Sequence, residues 1–493
     1  MTRLTRAQRI LLRVVVALGV FMLGNALYLL CFRLADWSGW RVLVPTETFL
    51  PAVYQVLLLS HTAAGLLLAA TALFFAIWHL TRVWALRRNR AALAAGLLTV
   101  VLGLTLAVSG LFILSEANTL SNRWAFWMHV VCAALVQTLY IVHRVASRTR
   151  PAARAYRVAA GAAAAVACVA LIAHGLSAWA SGRTDSRTAK ALRSPDAGTG
   201  SAARDLADHV DEAGFVAEGT VPAESPFFPS PATTTSGRSV DARTILGEEL
   251  PHPDSLRREL QDYGFVAETR IGSEDCERCH ADVVAQWAAS AHRFASFNNP
   301  FYEATVNLLR EQAGNVRSRW CGGCHDPALM LVGTMAGEID RETPHAQAGL
   351  TCMACHAMDR IHNLTGNGNY NIADGEADPY LFSDSRTGVG RFIHDTVLKA
   401  RPTAHKRRTL KPFFRSPEYC ATCHKVSLDV PVNDYRWLRG QNEYDAWHDS
   451  GVSRNASRTF YLPPRRLVCQ DCHMPREQAV LGDVSAREGT VRS

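Results

Sequence analysis

The chain has 493 residues, 48% hydrophobic and 19% charged, with a net charge of +8, 13 Cys and 18 His. The positive charge requires no nucleic-acid partner, because the arginines concentrate in short loops between apolar stretches. A disulfide framework is excluded too: ten cysteines belong to one repeated motif, and Cys31, Cys132 and Cys168 sit in apolar runs, where a thiol is usually a small buried hydrophobe.

Five apolar stretches fill the first 180 residues, at about 11–33, 51–80, 91–115, 124–146 and 157–180. Each is near or above the ~20 residues that a spanning helix needs. Arg3, Arg6, Arg9 and Arg13 precede or open the first. Arg82, Arg87, Arg88 and Arg90 follow the second, and Arg144, Arg148, Arg150, Arg154 and Arg157 follow the fourth. The other connections are nearly free of positive charge. Positive-inside logic puts the N-terminus in the cytoplasm, and five crossings leave everything after residue 180 outside. The first stretch lacks a small-residue cleavage site and reads as a retained anchor.

Histidine inside a membrane is costly and marks function. His61 and His79 are 18 residues apart in the second helix, share a face and are separated by about 27 Å; His129 and His143 are 14 apart in the fourth, by about 21 Å. The two helices run in the same direction. His61 and His129 fall toward one side, and His79 and His143 toward the other. Two helices that each offer two histidines form clamps for two stacked haems. Over residues 50–146 this resembles the cytochrome b family, which implies a helical core with two bis-His b haems. The family's 14-residue offset is present in the fourth helix and absent from the second, and His174 in the fifth helix is an alternative ligand. Gly96, Gly103 and Gly110 form a stripe on the third helix that fits close approach of a neighbouring helix, the more frequent cause, or of a flat porphyrin.

After Ala180 the composition shifts to Ser, Thr, Ala, Pro, Gly and Asp. Residues 181–270 read as a flexible tether. Within it Gly214-Phe-Val-Ala-Glu218 recurs as Gly264-Phe-Val-Ala-Glu268, too few copies for a solenoid.

Residues 271–493 carry five copies of Cys-x-x-Cys-His: Cys276/Cys279/His280, Cys321/Cys324/His325, Cys352/Cys355/His356, Cys420/Cys423/His424 and Cys469/Cys472/His473. Chance predicts roughly 0.01 such pentapeptides. Each is the attachment signature of a c-type haem, with two thiols bonded to the porphyrin and the His on the iron. Zinc knuckles use paired cysteines but do not demand a His after each pair. Covalent attachment of this kind implies the periplasmic side of a bacterial inner membrane. The fold class expected is an all-α five-helix membrane bundle followed by a mostly α and irregular pentahaem domain.

The first motif continues as Gln286-Trp287-Ala-Ala-Ser290-Ala-His292. A proximal His followed by Trp-x-x-Ser-x-His resembles the cytochrome c-554 and hydroxylamine-oxidoreductase-like superfamily, which implies that His292 gives an axial ligand to a haem. The fourth motif has an echo, Trp447-His448-Asp-Ser450, with Val452 where the pattern places His. Further candidates for sixth ligands are His345, His362, His394, His405 and His448, with Met330 and Met358 as alternatives; His209 and His252 lie in the tether.

A b-type membrane module fused to a pentahaem module resembles quinol dehydrogenases of periplasmic and extracellular electron transfer. The resemblance implies a quinol:cytochrome c oxidoreductase that draws on the membrane quinone pool, uses two b haems and five c haems, and delivers to a periplasmic or outer-membrane cytochrome. Quinol oxidation releases two protons, and Glu116, in the short outer loop, is the candidate acceptor. The alternative is a membrane-anchored terminal reductase of nitrite, hydroxylamine or a sulfur oxyanion, in which one iron is open and the run His405-Lys406-Arg407-Arg408 serves the anion.

Overall fold

The computed structural model describes residues 4–46, 49–83, 89–118, 122–147, 153–191, 232–234, 274–361, 364–373, 378–383, 385, 387–428, 438–456 and 460–475. Its contacts divide the chain into two units, residues 1–193 with 379–407, and residues 194–378 with 408–493.

The first unit is built on α1 (Arg6–Trp37), α2 (Ala52–Val83), α3 (Arg90–Glu116), α4 (Arg123–Ala146) and α5 (Ala153–Ala191). All five are long and apolar enough to cross a membrane. Thr5 starts α1 with a capping box: its hydroxyl accepts from Gln8 N at 3.2 Å and its own N–H donates to the Gln8 side chain at 3.1 Å. α3 packs along α4, and α1 packs against both α2 and α5. A cavity of about 3130 Å³ runs between them, lined by His61, His79, His129, His143 and Gly103 among others. That is several times the roughly 300–1,000 Å³ of an ordinary small-ligand pocket.

The segment 379–407 belongs to this unit although it lies between the third and fourth Cys-x-x-Cys-His motifs. It contains α11 (Gly388–Ala400), capped by Thr387, and enters α12 (Thr403–Thr409). Three anchors hold it to one end of the bundle. The buried Gln55 side chain donates to Pro379 O at 2.6 Å and accepts from Leu381 N at 2.7 Å. Asn118 N donates to Lys399 O at 2.9 Å. The Asp36 carboxylate is paired with Arg401 and, at 2.8 Å, with Arg407. The Asp36 and Arg401 side chains are each 4% exposed, so each charge depends on the other for the solvation it has lost.

In the second unit the helices are short. α6 (Glu274–Ala288), α7 (Pro300–Ala313), α8 (Arg319–His325), α9 (Pro327–Val332), α10 (Cys352–His356), α13 (Pro417–Ala421), α14 (Glu443–His448) and α15 (Cys469–His473) are separated by turns. α7 starts on the Asn299 cap with Pro300 in its first turn. A three-stranded sheet has the order β1 (Thr233–Thr234), β3 (Tyr370–Ile372), β2 (Met358–Ile361), and β4 (Lys425–Leu428) pairs with β5 (Leu438–Asn442). β1 falls within the stretch read as a tether and docks as a parallel edge strand on β3. The repeat at 214–218 and 264–268, with His209 and His252, lies outside the described residues. The core is formed by Phe297, Val306, Leu329–Val332, Met335 and Ile372, with Cys321, Met353 and Cys423 packed against it. Three of the five motifs therefore supply core side chains.

Replacing Asp36 with Ala leaves the Arg401 guanidinium buried and unpaired. The cost should be about 3–5 kcal/mol. It should appear in hydrogen exchange as lost protection across residues 379–407, with the spanning helices still protected.

Candidate functional site: histidine pairs and Cys-x-x-Cys-His turns

The four intramembrane histidines meet in pairs across the cavity. His61 on α2 faces His129 on α4 with ring centres 6.2 Å apart, and His79 faces His143 at 6.5 Å. The different offsets in the two helices do not disturb the ring separations. His129 Nδ1 lies 3.1 Å from Leu106 O, and His143 Nδ1 lies 2.8 Å from Ala92 O. A carbonyl can only accept, so Nδ1 carries the proton in both and Nε2 keeps its lone pair. His61 Nδ1 is buried without a hydrogen-bond partner. His79 stacks on Phe75 at 5.6 Å.

Two of the three stripe glycines serve these rings. A Cβ at Gly96 would lie 2.9 Å from His143 Nδ1, and one at Gly110 would lie 3.1 Å from His129 Cε1. Gly103 between them meets nothing within 4 Å and lines the cavity. The stripe thus makes room for two rings and for the space between them. His174 is elsewhere. Its Nδ1 lies 3.0 Å from Tyr28 Oη and its Nε2 lies 2.7 Å from Leu43 O, so both ring nitrogens are engaged. Glu116 ends α3, half-buried, and its carbonyl accepts from Asn122 Nδ2 at 3.0 Å.

Four of the Cys-x-x-Cys-His motifs lie within a helix, and the fourth starts in α13 and leaves it after Ala421, with Cys423 and His424 in the following turn. Cysteines three apart on a turn point to one side. α8, α10 and α15 each end at the motif His, and α6 breaks there, with His280 at φ −123°, ψ 44°. Nine of the ten motif cysteines are half-buried and Cys472 is exposed. Burial pushes the Cys321 and Cys420 thiols up to about 12 and Cys355 to about 11. No disulfide is formed among the described residues, nor do three or more His, Cys, Asp or Glu gather there as a metal-ion site.

Two of the motif histidines repeat the arrangement found on α4. His325 Nδ1 lies 2.8 Å from Ala295 O, and His356 Nδ1 lies 2.8 Å from Thr409 O. His424 faces His292, with ring centres 6.3 Å apart. Burial, with His424 adding, holds the His292 ring below the usual imidazole range. Burial takes His345 down to about 4, and its Nδ1 has no hydrogen-bond partner. His473 is exposed. His448 Nδ1 is 3.1 Å from Asp449 Oδ1.

His394 and His405 belong to the helical unit, where His394 Nδ1 is 3.0 Å from Asp395 Oδ1. His362 lies outside the described residues. Met330 and Met358 are buried in the core, and Met474 is 41% exposed. The basic run at 405–408 is tied down, with Arg407 paired to Asp36 and Arg408 3.7 Å from Asp378.

The echo of the Trp-x-x-Ser pattern is structural. Trp287 Nε1 donates to Leu350 O at 2.6 Å, two residues before Cys352; Trp447 Nε1 donates to Leu467 O at 2.8 Å, two residues before Cys469. Ser290 Oγ donates to Trp287 O, and Ser450 Oγ to Trp447 O. Leu350 N donates to His292 O, and Leu467 N to Val452 O. Arg293 covers Trp287, and Arg466 covers Trp447. Each copy is a bracket that holds the segment leading into a later motif, the third for Trp287 and the fifth for Trp447, and Val452 stands in the place of His292.

Sequence reasoning missed several polar groups in the second unit. Tyr302 stacks on His325 at 4.5 Å and donates to the fully buried Asp326 carboxylate, which burial holds well above the usual carboxylate range. Tyr370 donates to Gly323 O at 2.7 Å among the thiols of three motifs. Asp326 carried a weak signal, following His325 directly. The tyrosines carried none.

Residues 275–357 match the family model described as Cytochrome c554 and c-prime. No curated protein and no solved structure matches the chain. The matched stretch takes in the first three Cys-x-x-Cys-His motifs, and the other two follow it. The match implies covalently bound haem c and supports a multihaem c-type electron-transfer cytochrome, and with the five apolar helices it fits a membrane protein that carries a periplasmic haem domain.

Proposed function

We propose that the protein is an inner-membrane quinol:cytochrome c oxidoreductase, which oxidises a membrane quinol at the helical unit and delivers the electrons to a periplasmic or outer-membrane cytochrome. The observation that carries this reading is the pair of cross-helix histidine contacts, at 6.2 and 6.5 Å. These separations would leave room for one metal ion between the two rings of each pair. Both pairs fit a metal held between them, and the large cavity and the open face at Gly103 fit a porphyrin around it. The residues assigned to two b haems are His61 with His129 and His79 with His143.

The five Cys-x-x-Cys-His turns are assigned to five covalent c haems, with His292 opposite His424 at the fourth. His345, His362, His394, His405 and His448 remain candidates for other sixth positions. When bound, these groups supply reversible one-electron chemistry. The protein residues hold and orient. Leu106 O and Ala92 O fix the rings of His129 and His143, and Gly96 and Gly110 keep the space beside them clear. Oxidation of a quinol to a quinone gives two electrons and two protons, and a Glu116 carboxylate oxygen is assigned one of the protons. Positive-inside logic sets the N-terminus in the cytoplasm and the Asp36 end of the bundle on the periplasmic side.

Protein from cells with working haem-attachment machinery should carry five covalent haems by intact mass. Cys276→Ala with Cys279→Ala should remove one; an unmodified polypeptide mass would overturn the assignment. Acid acetone should extract two further haems. His129→Ala and His143→Ala should each lower that number by one and leave the c-type absorbance in place; if both variants keep all extractable haem, the α4 ligands are wrong. With a reduced quinol analogue, the c-type bands should become reduced, and should reoxidise when a periplasmic cytochrome is added. Rapid reoxidation by nitrite or hydroxylamine alone, together with strong carbon monoxide binding, would point to a terminal reductase instead.

A further inference from the structure

The segment 379–407 presents an apolar face that nothing in its own unit covers. Phe382 is 53% exposed, Val389 72% and Phe392 69%. Val389 and Phe392 are three apart on α11 and so lie on neighbouring positions of one side. Further along the helix Val397 is buried and packs with Tyr380 and Ala404 in the core shared with α1 and α2.

Phe382 adds an independent observation. Its φ is +62°, a backbone conformation that a bulky L-residue adopts only at a cost. The chain holds a strained residue and exposes its ring. Strain retained in this way points to function.

The anchors fix the depth of this face. Gln55 is in the first turn of α2, Asp36 in the last turn of α1, and Asn118 two residues past the end of α3. All three belong to one end of the bundle, where spanning helices leave the hydrocarbon. Exposed Trp37, Trp40, Trp124 and Trp127 stand at the same ends of α1 and α4, with Trp37 and Trp127 ring centres 5.7 Å apart. Tryptophans at helix ends mark the level of the headgroups. The exposed Arg391 and the half-buried Lys399 on α11 add positive charge at that level, as an interfacial helix does beside anionic lipid.

We infer that residues 379–407 form a membrane-surface element, with Phe382, Val389 and Phe392 inserted into the headgroup–acyl boundary of the phospholipid bilayer beside the bundle. The occupant of this face is lipid. The segment is anchored at the end of the bundle where the spanning helices leave the hydrocarbon, and it carries the aromatic, aliphatic and basic side chains that such a boundary takes.

The test uses the full chain in phospholipid nanodiscs doped with a phospholipid that carries a diazirine near the headgroup end of one acyl chain. After illumination and proteolysis, adducts are mapped by mass spectrometry. Phe382, Val389 and Phe392 should carry adducts, as should the exposed ends of α1 and α4. Phe392→Asp should lower the adducts on α11 several-fold, because it replaces an apolar side chain at the boundary with a charged one. The wild-type map stands without the variant if Phe392→Asp fails to fold. Labelled spanning helices with an unlabelled 379–407 segment would overturn the inference. So would adducts joining this segment to a second copy of the chain or to another protein instead of to lipid.

Discussion

An imidazole whose Nδ1 is tied to a backbone carbonyl has one nitrogen left to use. That constraint recurs in both units, at His129 and His143 in the membrane bundle and at His325 and His356 in the motif-bearing unit. It settles the tautomer, fixes the plane of the ring and leaves Nε2 as an acceptor. The rest of the architecture serves these rings. α3 supplies two carbonyls and two glycines beside α4, and the chain between motifs supplies the carbonyls of Ala295 and Thr409.

The second structural dependence is electrostatic. A carboxylate near the end of a spanning helix and a guanidinium 365 residues further along the chain are both nearly inaccessible to water. Neither is stable there alone. The pair ties a stretch lying between the third and fourth motifs to the helical unit, and Gln55 and Asn118 reinforce the tie with neutral hydrogen bonds. A stretch far along the chain is thus held at the end of a membrane bundle by contacts that have no local origin.

The five spanning helices were legible because length and hydropathy suffice for them, and the motif turns because Cys-x-x-Cys-His is itself a local geometry. The histidine pairs were legible from offsets of 18 and 14 residues on parallel helices, since period and rise alone place two rings at each level. The role of the glycine stripe was only half legible: spacing gave the face, and only the structure shows that Gly96 and Gly110 touch rings while Gly103 touches none. The placement of His394 and His405 was not legible. Their helices look like ordinary connectors between two motifs, and the partners that hold their segment, Asp36, Gln55 and Asn118, are hundreds of residues away. Asp326 and Tyr302 were missed for a related reason, because a buried carboxylate that meets a phenol across a turn has no periodic signal.

The duplicated bracket has a consequence for how such a chain can grow. The Trp287 and Trp447 copies keep the same indole, hydroxyl and main-chain bonds, yet one presents His292 and the other Val452 at the same point. The frame therefore stands without the histidine. Supporting a later motif and presenting an imidazole are separable tasks, joined in one copy and parted in the other. A unit of this kind can be copied along a chain as a structural spacer first, and one residue then determines whether that copy also offers an imidazole.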